Sequence, residues 1–385
     1  MSCLGDAAQS YPKPADDAGA EQAAARSAPM DDSDTRADLA ALTSRLRAGR
    51  HGAEEEVRRL VAAVLAGAGD LDAFGAWLLA LANVGESADE IAGVVTAIRG
   101  QMVPVPRPAD LVVADTCGTG GDGSASFNIS TAVALVVAAA GQPVAKHGNR
   151  AVSSRTGSAD VLEQLGLPID AGPAASAASL ATLGFCFCLA PLHHPALARV
   201  GPLRRSLGRP TVFNLVGPLC NPAGATVQLI GVGRESAREP LAEAARRLGA
   251  RRTLVVSGRL GVETDARCFD EVSLFGPTDV IEVGPSASRR FRWQPEDFGL
   301  VTRPVADLAL LAVDGPAASA ARIRSVLAGD AGPARDVVVL NAAAVLWAAD
   351  RAADLIAARL RAEQAIDSGA AARLLESLRA GPLPA

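Results

Sequence analysis

The 385-residue sequence is poor in aromatic residues, at 3%, and holds a single tyrosine, Tyr11. That argues against a surface for single-stranded nucleic acid, because such surfaces stack bases on aromatic platforms. A formal net charge of −5 likewise leaves no basic footprint for DNA or RNA. Long apolar runs are missing too. The longest, Ala132 to Ala140, is far too short to span a bilayer, so no membrane association is expected. The N-terminus lacks a positively charged start leading into an apolar stretch, so no secretory signal is expected. The six cysteines (Cys3, Cys117, Cys186, Cys188, Cys220, Cys268) form no CxxC pair and have no histidine at ligand spacing. Cys186 and Cys188 alternate in a strand-like run and read as small buried hydrophobes rather than as a metal or redox site. A cytoplasmic setting is the natural expectation.

What is present is globular in character, with 49% hydrophobic and 21% charged residues. The length is too great for one ordinary core and suggests two domains. Residues 1–36 are rich in Ala, Asp, Ser and Pro and read as a disordered tail. Residues 37–104 read as a helical domain. Leu60, Val61, Val64 and Leu65 recur at helical spacing, as do Trp77, Leu78, Leu81 and Val84, and Ile91, Val94, Val95 and Ile98. Ser87 before Asp89-Glu90 suits a helix start, and Gly85 and Gly100 suit helix ends. From residue 105 to 385, short β-branched runs at Leu111–Val113, Pro143–Ala145, Val227–Ile230 and Leu254–Val256 alternate with helical stretches. That alternation implies a sheet covered by helices.

Two segments carry the chemistry. The first is Asp115-Thr116-Cys117-Gly118-Thr119-Gly120-Gly121-Asp122-Gly123, set between a strand and a helix that starts near Ser130. A glycine-rich turn there presents backbone N–H groups and a helix N-terminus to an anion. By itself it could equally be a tight turn, and its spacing matches neither the P-loop nor the dinucleotide fingerprint. The second, Lys146 to Ser158, packs two glycines, three cations, three serines and a threonine into one loop. It is either a solvated connection or a second anion cradle; hydroxyls, lysine and glycines together favour the cradle.

These segments resemble the anthranilate phosphoribosyltransferase family, within the nucleoside-phosphorylase-like phosphoribosyltransferases. The resemblance rests on GTGGD at Gly118–Asp122, FNIST at Phe127–Thr131, KHGNR at Lys146–Arg150, VSS at Val152–Ser154, His194-Pro195, GPLRR at Gly201–Arg205, FNLVGPLCNP at Phe213–Pro222, and Asn341–Ala344. It extends from about Leu39 to Leu378. It implies a central mixed sheet flanked by helices, an α/β fold with a separate small all-α N-terminal domain. It also implies transfer of a phosphoribosyl group from 5-phosphoribosyl 1-diphosphate to the amine of anthranilate, with Mg²⁺, in a homodimer. Carried over position by position, Gly118, Gly121, Asp122, Ser126, Asn128, Ile129, Ser130 and Thr131 would hold the donor. Lys146, Gly148, Asn149, Arg150, Ser153, Ser154 and Ser158 would complete that site. Asn149 and Arg204 would contact anthranilate, Arg204 at its carboxylate, with His147 at the mouth of that pocket. Ser130, Asp270 and Glu271 would serve the metal; Asp270-Glu271 begin a strand-like run at Val272–Phe275. No nucleophile–base constellation stands out, and none is required.

The sequence departs from the family in three places. The segment from Arg259 to Phe269 is longer, Ser257 and Cys268-Phe269 replace a His and a Gly-Leu-like pair, and Cys220 replaces a Thr. These leave open another aromatic acceptor, and Glu263 or Asp265 as substitute metal ligands. A pyrimidine-nucleoside-phosphorylase-like enzyme and a non-catalytic binding paralogue are the more distant alternatives. The Trp77–Val95 stretch is apolar enough to serve a dimer.

Overall fold

The computed structural model describes residues 32–151, 155–261 and 268–381. Four helices come first: α1 (Asp32–Arg47), α2 (Glu54–Ala66), α3 (Leu71–Val84) and α4 (Ala88–Arg99). The expected periodicities fall on α2, α3 and α4, and their apolar stripes face inward. Asp70 caps α3, Ser87 and Glu90 form a capping box on α4, and Gly67 and Gly85 take positive φ at helix ends. Residues 32–36, read as tail, belong instead to α1. Asp32 accepts the Gly69 N–H at 2.5 Å and Arg36 pairs with Asp70, which offsets the weak local propensity. The rest of the predicted tail lies outside the described residues.

Seven strands follow among the described residues: β1 (Ala114–Gly118), β2 (Val144–Gly148), β3 (Phe185–Leu189), β4 (Val227–Gly231), β5 (Arg252–Gly258), β6 (Thr278–Val283) and β7 (Ser288–Trp293). They form one sheet in the order β3-β2-β1-β4-β5-β6-β7. The first five are parallel, and β6 and β7 run antiparallel at one edge. This is the mixed sheet expected from the sequence. β1 begins three residues later than the Leu111–Val113 run suggested. The Leu111 N–H closes a turn onto Pro108, and Val112 and Val113 spend their carbonyls on Gln142 and Thr226. Val272–Phe275, read as strand-like, is irregular; the strand starts at Thr278.

Helix α5 (Ile129–Ala139) runs from β1 towards β2 and is buried almost all round. It packs with α13 (Pro333–Ala348), α14 (Leu355–Asp367) and α15 (Ala370–Ala380) in the main core on one side of the sheet. Between β2 and β4 lie α6 (Ser158–Gln164), α7 (Pro173–Leu183), α8 (Ala190–His193), α9 (Gly201–Leu207) and α10 (Val212–Val216); α11 (Glu235–Arg247) joins β4 to β5, and α12 (Pro316–Leu327) precedes α13. A second core joins α2–α4 to Val200, Val212, Phe213 and Val216, and to Leu241 on α11. The helical layer thus draws on α9 and α10 as well as on residues 37–104. Trp77, Leu78, Leu81, Ile91, Val94 and Val95 are all buried inside this core. Their apolarity is used within one chain and gives no argument for a dimer.

The chain order explains where a ligand would sit. From β1 the sheet grows one way to β2 and β3, then the other way to β4 and β5. Such a reversal opens a crevice beyond the carboxyl ends of the two strands that flank it. Here those strands are β1 and β4, and both end in glycine.

Candidate active site

Four of the parallel strands end in glycine: Gly118 on β1, Gly148 on β2, Gly231 on β4 and Gly258 on β5. In each case a side chain would occupy space already taken. A β-carbon on Gly118 would overlap the Asp270 carboxylate, and one on Gly231 would overlap the Asp270 carbonyl. One on Gly258 would lie 2.7 Å from the Glu271 carbonyl, and one on Gly148 would overlap the Ser158 hydroxyl. The strand tips therefore lack side chains so that Asp270, Glu271 and Ser158 can sit against the backbone. This brings together residues that lie far apart in the sequence.

The loop after β1 is fixed in detail. Thr119 donates its N–H to the Gly231 carbonyl at 2.8 Å, and Gly120 donates its N–H to Asp270 Oδ2 at 2.8 Å. Gly120 and Gly121 have φ of 71° and 82°, which an L side chain adopts only with strain. Asp122 accepts from the Ser124 N–H and hydroxyl at 3.0 Å, while its Oδ2 is buried without a donor among the described residues. The Ser124 oxygen in turn accepts the Ser126 N–H at 3.3 Å, with the two hydroxyls 3.2 Å apart. Asn128 stands at the N-cap of α5, yet its side chain makes no capping bond. Ser130 lies at the start of α5, where Lys146 donates to its hydroxyl at 3.3 Å and to the Thr116 carbonyl at 2.7 Å. Ile129 is core, and Thr131 is sealed from solvent with its hydroxyl unpartnered among the described residues.

Three carboxylates converge on this loop. Burial, then the Asp122 charge, pushes Asp270 up to about 8. Burial, then the Asp270 charge, raises Glu271 well above the usual carboxylate range, and Lys146 and the Ser130 N–H oppose the shift. Buried carboxylates that repel one another hold a proton or take a cation in its place. Among the described residues, no group of three His, Cys, Asp or Glu side chains closes into a cage that could hold a metal ion. Mg²⁺ does not need one, since it is bound through one or two carboxylates and substrate phosphates. The orphaned Asp122 Oδ2 and the raised Asp270 and Glu271 fit that requirement.

Asn341 on α13 holds the chain that follows Asp270 and Glu271. Its side chain accepts the Val272 N–H at 2.8 Å and donates to the Val272 carbonyl at 3.0 Å, as a neighbouring strand would. Irregular chain at Val272–Phe275 is thereby held without a ladder. The sequence flagged Asn341 only as part of a family-like helix. The longer approach to Asp270 rejoins the sheet through Phe269, which bridges Gly258, and through Cys268, whose N–H meets the Gly233 carbonyl. Ser257 donates its hydroxyl to the Val232 carbonyl, a structural bond. Glu263 and Asp265 lie outside the described residues.

The loop after β2 is closed by Asp160 on α6, which accepts the Ala151 and Gly157 N–H groups at 2.9 and 3.0 Å. Arg150 pairs with Asp160 and Glu163 on α6. Asn149 is exposed, and its amide oxygen accepts the Arg150 N–H. Ser158 begins α6 beside Gly148. Ser153 and Ser154 lie outside the described residues. Beneath the loop, Asp115 is buried and accepts from Asn221 Nδ2 at 2.8 Å and from the His147 N–H at 3.3 Å.

At the tip of β2, beside the helical segments that follow β3, the chemistry is different. His147 bonds the Gly217 carbonyl through Nδ1 at 3.1 Å, leaving Nε2 buried and unpartnered among the described residues. Its ring lies 5.1 Å from that of His194. Burial, then the partner imidazole, lowers His147 to about 3; burial, then His193, lowers His194 to about 4. Both rings are neutral at pH 7. Arg204 on α9 stacks over Phe213 at 4.9 Å and has no acidic partner among the described residues. Cys220 lies buried in the turn below, its thiol raised to about 12 by burial. Cys186 and Cys188 share one buried face of β3, sulfurs 4.0 Å apart.

Residues 110–372 match the glycosyl transferase family, a/b domain. The chain is 45% identical over 340 residues to the anthranilate phosphoribosyltransferase of Moorella thermoacetica, covering 88% of this chain and 97% of that one. Its fold is similar to the crystal structure of the anthranilate phosphoribosyltransferase of Thermus thermophilus, with a TM-score of 0.79, 40% identity, and coverage of 88% and 98%. It is also similar to the Saccharomyces cerevisiae enzyme solved in complex with phosphoribosyl diphosphate and Mg, with a TM-score of 0.76, 27% identity, and coverage of 88% and 96%.

Proposed function

The chain belongs to the anthranilate phosphoribosyltransferase family, and on that premise we propose how its two walls divide the reaction. The reaction moves the phosphoribosyl group of 5-phosphoribosyl 1-diphosphate to the amine of anthranilate, giving N-(5-phosphoribosyl)anthranilate and diphosphate in tryptophan biosynthesis. The glycine loop after β1, the loop after β2 and Lys146 form the donor wall. Backbone N–H groups around Gly121 and the start of α5 donate to the diphosphate, and Asn128, Asn149 and Ser158 add side-chain donors. Asp270 and Glu271, near Ser130, would hold Mg²⁺, which supplies charge neutralisation for the leaving diphosphate when bound.

As the C1–O bond breaks and the C1–N bond forms, positive charge grows on the ribose and negative charge on diphosphate. Fixed donors aimed at the leaving oxygens stabilise that separation without reorganising. The arylamine is neutral at pH 7 and needs no base before attack; the N–H proton lost once the C1–N bond has formed passes to the departing diphosphate or to water, so orientation is the main requirement on the acceptor side. Arg204 meets that requirement by engaging the carboxylate, its guanidinium stacked on Phe213. The observation that carries this reading is the half-buried Arg204, stacked on Phe213 and lacking an acid of its own among the described residues.

Domain closure between the helical layer and the α/β unit would exclude water from the ribosyl centre. A homodimer and a cytoplasmic setting complete the proposal; the dimer rests on the family resemblance alone. No helix among the described residues is long and apolar enough to cross a membrane.

The test is to mix the protein with phosphoribosyl diphosphate, Mg²⁺ and anthranilate and follow anthranilate fluorescence alongside diphosphate release. Both should change together. Diphosphate release with another aromatic amine, and none with anthranilate, would reassign the acceptor and leave the donor wall standing. Light scattering on the purified chain checks the dimer.

A further inference from the structure

Asn128 joins three segments that are distant in sequence. Its main-chain N–H donates to the Ser319 hydroxyl at 3.0 Å, and that hydroxyl donates to Asn128 Oδ1 at 2.9 Å. The Thr156 hydroxyl, at the end of the loop after β2, donates to the same Oδ1. Ser319 lies on α12, is fully buried, and is separated from Asn128 by 191 positions. A carboxamide oxygen has two lone pairs, and here two hydroxyl donors fill both. The orientation of the amide is thereby fixed, and its two N–H donors are left without an acceptor among the described residues. An asparagine at a helix N-cap ordinarily turns its oxygen onto the helix N–H groups. Asn128 does not, because its oxygen is held elsewhere.

We propose that Ser319 is a positioning residue for phosphoribosyl transfer. It fixes the Asn128 carboxamide so that both amide N–H groups are presented to the anionic donor substrate, with Thr156 as the second arm of the latch. The proposal rests on the reading that Asn128 belongs to the donor site. It gives Ser319 a role that its burial and its distance from both phosphate loops in sequence would otherwise hide. An unheld carboxamide would be free to swing its oxygen towards the substrate, where it would repel a phosphate oxygen instead of donating to it.

The experiment compares Ser319→Ala, Ser319→Thr, Asn128→Ala and the Ser319→Ala/Asn128→Ala double variant by steady-state kinetics with both substrates, and by thermal unfolding. Loss of one hydrogen bond to a charged ligand corresponds to about tenfold in affinity. Ser319→Ala should therefore raise the KM for phosphoribosyl diphosphate about tenfold while leaving the KM for anthranilate within about twofold. Ser319→Thr, which keeps the hydroxyl, should restore the donor KM. In the Asn128→Ala background, Ser319→Ala should add nothing, since its effect passes through that side chain. A wild-type donor KM in Ser319→Ala, or a full further loss in the double variant, overturns the proposal even where thermal stability falls. An unchanged donor KM in Asn128→Ala overturns the donor-site reading and the proposal with it. If Ser319→Ala does not fold, Thr156→Val reads the other arm, and an unchanged donor KM there overturns the latch.

Discussion

Around the loop after β1, most polar groups are paired with one another, Gly120 with Asp270, Asp122 with Ser124, Lys146 with Thr116 and Ser130, with Asp122 Oδ2 and the Thr131 hydroxyl left over among the described residues. Around α9 and the turn at Gly217–Cys220 the carbonyls are bonded, but the cationic and imidazole groups are left without acidic partners among the described residues. Among the described residues His147 Nε2 has no partner, Arg204 has only an aromatic face, and the imidazoles are held neutral by burial. The paired wall is preorganised for a ligand that brings high charge, where fixed donors are worth most. The unpaired wall suits a flat aromatic ring with one carboxylate. The same crevice therefore combines a rigid electrostatic floor with a sparsely polar lid.

The sharpest way to break this contrast is at the floor. Gly231→Ala forces the Asp270 main chain away from β4, and misplacement of that size costs about a hundredfold or more in kcat/KM. A variant with near wild-type turnover would show that the strand tips are not set by the carboxylates. At the lid, Arg204→Ala should raise the anthranilate KM by about ten- to a hundredfold, as expected for a lost charge-assisted pair, with the donor KM unchanged. Equal loss for both substrates would erase the distinction between the walls.

Asn341→Leu tests how the floor is held. It leaves the Val272 N–H and carbonyl buried without partners, a cost of about 2–4 kcal/mol in stability. Unfolding in denaturant should show that loss, and the Mg²⁺ concentration for half-maximal rate should rise. The smallest effect is expected from pH. The folded His147 and His194 lie near 3 and 4, below the unfolded value of about 6.5. Below about pH 6.5 the unfolded chain therefore binds more protons, so stability is fully present above that pH and falls as pH drops. The slope is at most about 1.4 kcal/mol per pH unit for each ring. His194→Gln should flatten the dependence between pH 6.5 and 4; an unchanged slope would mean the ring is not held neutral.

Much of this architecture was legible in the sequence, for physical reasons that can be named. The helices α2–α4 announce themselves because their apolar stripes must face one core, and Ser87 and Glu90 mark a boundary with side-chain chemistry. The glycine loop was visible because positive φ at Gly120 and Gly121 demands that residue. The start of β1 was misplaced because Val112 and Val113 look like strand, yet their carbonyls go to Gln142 and Thr226. The run at Val272–Phe275 misled in the same way, being held by Asn341 from another helix. Ser319 carried no local signal, since a buried serine in an alanine-rich helix reads as filler. The glycines at the ends of β2, β4 and β5 did carry one: a β-branched run closed by glycine marks a strand tip that something else must approach.

Those bare strand tips also bear on redesign. A floor made of backbone at Gly118, Gly148, Gly231 and Gly258 offers no side chain to trim or exchange, and any addition collides with Asp270, Glu271 or Ser158. Libraries seeking a new acceptor have nothing to vary there. On the proposed reading the surface left to vary is the opposite one, from Leu203 to Phe213, where Arg204 stacks on Phe213.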